Sequence, residues 1–178
     1  MHTISHGTSL IRPFSPRKVL LLAILALPLA LGLPRPAGAT SPVTGSGTIT
    51  ATLIDNSALP AGASGNLLFT ETLQDTVTGA MSGALVENLT GVYRPSAGVL
   101  ASFHGIDTCT CTVADATGAL QQGTLTLQFE GMEAPDGSLS GQFVIVGGTD
   151  GLANLEGQGT FQGSAQSVTY TMALHFDP

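Results

Sequence analysis

Twelve carboxylates and two cysteines are the groups of this 178-residue chain best suited to chemistry. Four of the carboxylates stand out by their phase. From residue 67 to residue 113 apolar side chains recur at every second place: Leu67, Phe69, Leu73, Val77, then Met81, Leu85, Leu89, Tyr93, then Val99, Ala101, Phe103, Val113. Residues spaced by two share one face of a strand. Glu71, Asp75, Glu87 and Asp107 fall on that same phase. An unpaired carboxylate in an apolar interior is costly. Burial also raises its pKa, which suits it to orient a polar ligand group or to act as acid or base. Glu87 and Asp107 are the candidates for that role. The plainer reading of each is an acid at a strand end. Glu71 and Asp75, set among Gln74, Thr76 and Thr78, read as rim residues.

Cys109 and Cys111 lie two apart on the apolar phase. Two cysteines in an exported chain suggest a disulfide. An extended strand holds such a pair near the upper limit of bridging distance, so a bridge here calls for a local bulge. Free core cysteines are the alternative. Metal binding would need more ligands. His104 is on the opposite phase and His175 is far along the chain, so no metal site is expected. No Ser-His-Asp order, nucleotide-phosphate loop or dinucleotide loop is present, and no cofactor is implied. Asn88-Leu89-Thr90 is a glycosylation sequon on the outward phase, more simply an exposed strand residue.

The elements that must carry these groups are strands. Period-two alternation runs almost unbroken from Gly47, with candidates at 47–54, 67–78, 81–93, 98–113, 120–130, 138–147, 156–163 and 167–176. Turn-forming runs separate them: Asn56–Asn66, Gly79, Pro95–Gly98, Asp115–Gly118, Pro135–Gly137 and Gly163–Gln166. No segment carries a helical stripe. Short turns between consecutive strands predict an antiparallel meander closed into a single eight-stranded up-and-down β-barrel. A two-sheet β-sandwich would give the same pattern. Ile145–Phe161 is the pivot, with Gly147-Gly148-Thr149-Asp150-Gly151 leading into Gly157, Gly159 and Gly163. Glycines spaced by two free one strand face for a neighbour's side chains and for sharp coiling. With no helix after it, Gly147-Gly148 reads as a barrel turn rather than a phosphate cradle.

Residues 1–39 read as a secretory signal peptide and 40–178 as the β-barrel domain. Arg12, Arg17 and Lys18 precede an apolar run, Val19 to Leu33, that is short for a membrane span and interrupted by Pro28 and Gly32. Ala37-Gly38-Ala39 then supplies the small residues of a cleavage site, placing the new N-terminus at Thr40 and the protein in the periplasm or medium. Arg94 is then the one Lys or Arg against twelve carboxylates, one minus twelve, a formal charge of −11. Such a surface repels phosphate backbones and anionic lipid heads, so neither nucleic acid nor membrane is an expected partner.

Several runs carry a resemblance. Glu87, Val92-Tyr93-Arg94, Ser102-Phe103-His104-Gly105, the stretch Gly148 to Phe161 and Tyr170-Thr171-Met172 resemble a bacterial family of unknown function in the allene oxide cyclase-like, dirigent-like barrel group. The resemblance covers most of the chain after the signal and implies an eight-stranded barrel with a central cavity. Glu87 matches an acidic position of that family. Asp150 departs from it as an insertion, Cys109-Thr110-Cys111 replaces an apolar pair, and Asp107-Thr108 lacks the arginine that often follows the acid there. The expected function is binding of a small apolar molecule in the lumen, with Phe69, Leu85, Tyr93, Phe103, Leu127, Phe143 and Tyr170 as walls and Glu87 and Asp107 as polar groups. A cofactor-free cyclase or isomerase of the allene oxide cyclase type is the alternative. A self-filled barrel acting through its surface is a third.

Overall fold

The computed structural model describes residues 41–62, 65–95 and 99–177. The expected signal peptide lies outside the described residues. Eight strands follow one another: β1 (Val43–Pro60), β2 (Leu67–Gly79), β3 (Met81–Tyr93), β4 (Ala101–Ala114), β5 (Leu120–Glu133), β6 (Leu139–Gly148), β7 (Leu155–Ser164) and β8 (Ser167–Phe176). Each pairs antiparallel with the next, and β8 returns to β1, closing a barrel in sequence order. Closure pairs every backbone ladder around the ring, which an open sandwich of two sheets would not.

Seven strands fall close to the bounds that alternation suggests. β1 does not. It runs through the expected turn at Asn56 to Pro60, because Asp55–Pro60 stays paired with Leu67–Thr72 of β2 after a bulge at Ile54. β8 accompanies β1 only as far as Thr50, so the rest of β1 rises with β2 as a hairpin beyond the closed ring. A short 3-10 turn, Asp150–Leu152, does follow Gly148. Asp150 takes φ 53° there. At three residues this turn is far too short to cradle a phosphate, and Leu152 goes fully into the core.

Inside the barrel, aromatic rings and glycines alternate between strands. Phe69 faces Gly91, Phe103 faces Gly131, and Phe129 faces Gly105. Phe143 faces Gly159, Phe161 faces Gly141, and Tyr170 faces Gly47. At each of these glycines an added Cβ would run into the ring opposite it. These six rings therefore each lie over a cross-strand glycine, a pairing that restores cover to the bare backbone. Rings laid along the wall leave the middle free.

Candidate functional site

The two ends of the lumen differ. At the end of the β2–β3 and β4–β5 turns it is filled by Val77, Met81, Cys109, Val113, Leu125 and Leu152, all with 1% exposure or less. Tyr170 belongs to this plug. Its hydroxyl accepts from Met81 N at 3.0 Å and lies 3.2 Å from the carbonyls of Thr78 and Met81, to which it donates. Toward the other end the lumen opens into a cavity of about 510 Å³. Phe69, Leu85, Glu87, Tyr93, Phe103, Asp107, Leu127 and Phe143 line it. Tyr170, expected among the walls, does not reach it, because its ring packs edge-on against Phe143 and its hydroxyl is taken up by backbone.

The carboxylates converge on one wall. Glu87 and Asp107 are directly opposite each other on β3 and β4. Leu73 of β2 completes the row, so Glu71 and Asp75, two residues to either side of it, are diagonal neighbours of Glu87. Directly opposed Cβ atoms in such a ladder stand about 4.5–5.5 Å apart, and like charges so placed repel. Asp75 is 2% exposed and Asp107 8%. Neither oxygen of Asp75 nor Oδ1 of Asp107 has a hydrogen-bond partner. Burial is the first cause of the raised pKa values, and the neighbouring acids add to it at Glu87 and Asp107. Asp75 is pushed up to about 6, Glu87 to about 8 and Asp107 to about 9. Asp75 and Glu87 are close enough to share a proton. Glu71, half-buried nearer the opening, is raised by burial and then by Glu133.

Asp75 thus corrects the rim reading. The polar neighbours that suggested a rim, Gln74, Thr76 and Thr78, point outward. Asp75 itself sits toward the plugged end, level with Leu85 and Cys109. Glu133, Phe129 and Phe161 also line the cavity and were not among the expected residues. Their signal was present. Glu133 shares a phase with Leu127 and Phe129 once β5 is carried past residue 130.

Arg94 does not neutralise this wall. Its Nη1 donates to Ser102 Oγ at 2.8 Å, and neither residue lines the cavity. Among the described residues no Lys, Arg or His does so. Cys109 and Cys111 are disulfide-bonded and buried, with Cα atoms 5.4 Å apart. The expected bulge is not there, since the register with β3 and β5 runs unbroken through both. Gly83 and Gly123 are the two cross-strand partners of Cys111. On the outer surface His175 meets Glu156 at 3.7 Å and Asp177 at 3.3 Å. Glu156 and His175 are paired across β7 and β8. The three offer ligand atoms within 4.8 Å of one another.

The model of a family described as "Protein of unknown function (DUF3224)" matches residues 45–174. A crystal structure described as a protein with unknown function from the DUF3224 family, from Shewanella oneidensis, is 20% identical and superposes with a TM-score of 0.57. The match covers 77% of this chain and 98% of that one, and at that identity it shows a common fold. No curated protein matches.

Proposed function

We propose, for a chain that belongs to the DUF3224 family of proteins of unknown function, that the barrel binds a small, mostly apolar molecule in its lumen, with Glu87 and Asp107 as the polar contacts. The cavity carries this reading. About 510 Å³ walled by Phe69, Phe103, Leu127 and Phe143, beside a single cluster of acids, has the size and make-up of a small-molecule pocket. An eight-stranded barrel is just wide enough to hold one such ligand or to fill itself. The self-filled alternative describes the plugged half only. Nile red, a neutral apolar dye, is expected to bind one per barrel with a fluorescence gain. Ala101→Phe, at a buried position lining the cavity, is expected to abolish the gain with the circular dichroism unchanged. An unaltered gain in that variant, or none in the parent, would overturn the reading.

Export and the grouping with allene oxide cyclases belong to the same proposal. Residues 1–39 then direct the chain out of the cytoplasm and are removed. N-terminal sequencing of secreted or periplasmic protein should begin at Thr40; intact Met1 in a membrane fraction would contradict it. One observation favours the cyclase or isomerase reading: Glu87, held neutral up to a pH of about 8, is a proton donor in an apolar cavity. In that case Glu87→Gln abolishes turnover and leaves binding in place.

A further inference from the structure

We propose that the lumen is shaped for a lipophilic cation, a protonated amine or quaternary ammonium on an apolar body, with Asp75, Glu87 and Asp107 as its anionic pole. This rests on the reading of the lumen as a small-molecule site and adds the ligand's charge.

Two of the three acids are more than nine-tenths buried, line the cavity and have oxygens without a partner. A buried acceptor without a donor is a standing cost that a ligand's N–H groups or positive charge would remove. No cationic side chain lines the cavity, and the one internal relief is the proton that Asp75 and Glu87 can share. β2 contributes Glu71 and Asp75, β3 Glu87 and Tyr93, β4 Asp107 and β5 Glu133; β1, β6, β7 and β8 contribute no titratable side chain to the lining. An anionic ligand would add to the repulsion, and a neutral one would leave it in place.

The rest of the wall suits a cation with an apolar body. Phe103, Phe129 and Phe161 form a triad with centroids 6.3–6.5 Å apart, all lining the cavity. Ring faces attract cations, more strongly once water is excluded. A single metal ion fits less well. Among the described residues the one set of three His, Cys or carboxylate side chains with ligand atoms within 4.8 Å of one another is Glu156, His175 and Asp177 on the outer surface. The interior acids do not form such a set of three. At neutral pH an incoming ammonium displaces a proton from a carboxyl group of the cluster to water, leaving a carboxylate–ammonium pair.

The test is calorimetric titration of the purified full chain with decylamine, decyltrimethylammonium, decanol and decanoate, four ligands of one chain length. Both cations are expected to bind about tenfold tighter than decanol or better, with decanoate weakest. Heats measured at pH 7 in two buffers of different ionisation enthalpy should show proton release with the cations and none with decanol. In the Glu87→Gln/Asp107→Asn variant the cations and decanol should bind alike. The comparison among ligands on the unmodified protein stands even where that variant misfolds. Decanol binding as tightly as the cations would overturn the charge assignment and leave the lumen reading intact. Binding of none of the four would remove both. Binding of calcium chloride alone, abolished in the double variant, would reassign the acids to a metal.

Discussion

Glu87 has neighbours of its own sign on three sides: Asp107 directly across on β4, and Glu71 and Asp75 diagonally on β2. Burial and those neighbours together favour the neutral form. Each unit by which a folded pKa exceeds the unfolded value costs about 1.4 kcal/mol once the group must ionise. Glu87→Gln keeps the shape and removes the charge. It is expected to raise the melting temperature at pH 9, a stabilisation on the order of a few kcal/mol, and to change little at pH 4, where the parent acid is already protonated. A variant that melts at its parent's temperature at pH 9 would place residue 87 in water. Glu87 and Asp107 were legible as inward acids because strict alternation puts them in phase with leucines. Asp75 was legible by the same rule, but its polar neighbours pulled the reading toward a rim. A strand shows its two faces in one string of letters, so polarity on the outer face is easily taken for polarity at the position between.

At the scale of strands, glycine placement decides where rings lie. Neither Gly148 nor Gly157 has a positive φ. A Cβ on Gly157 would come 2.7 Å from Ala173 O, so the close approach alone explains it. Gly159 is the sharper case. A side chain there would meet the carbonyl of Thr171 and the ring of Phe143 together, whereas Gly147 has open space around it. Gly159→Val is therefore expected to cost about 1–3 kcal/mol as overpacking against a rigid neighbour, and Gly147→Val far less. Chemical denaturation of both variants tests the contrast; equal losses would refute it. Seven strands could be read from alternation and turn residues. The upper part of β1 could not, since Asn56, Ser57 and Pro60 look like a turn and every residue from Leu53 to Leu59 is exposed on both faces. Pairing with β2 holds that segment extended, and no local signal records a partner on the next strand. The ring–glycine pairs were invisible for the same reason, since they exist only once the register is fixed.

For the molecule as a whole, the fold spends stability on its interior acids, and the pH at which it does so follows from their shifts. Asp75, Glu87 and Asp107 begin to ionise in the unfolded chain near their ordinary values of 3.8, 4.5 and 3.8, and in the barrel only at about 6, 8 and 9. Below the lower values both states are protonated and the acids cost nothing. Between the two sets the unfolded chain has released protons that the barrel still holds, so each step up in pH favours unfolding. Asp115 works in the opposite sense. Its carboxylate accepts from Thr117 N, Thr117 Oγ1, Ala119 N and Gln121 Nε2 and is lowered to about 2, so that its contribution is complete above pH 3.8 and lost toward 2. The opposing slopes place maximum stability near pH 4, well below neutrality. The melting temperature is expected to fall steadily from about pH 4.5 to 9, whereas in the Glu87→Gln/Asp107→Asn variant, which keeps Asp75, the fall should end near pH 6. Surface repulsion in so acidic a chain also grows with pH, and salt screens it, because exposed charges lie within reach of counterions. The interior acids are shielded from those ions. The decline should therefore persist at 0.5 M sodium chloride, where the Debye length is below the roughly 8 Å of physiological salt. A profile that becomes flat on adding salt would assign the pH dependence to the surface and leave the cavity acids without an energetic signature.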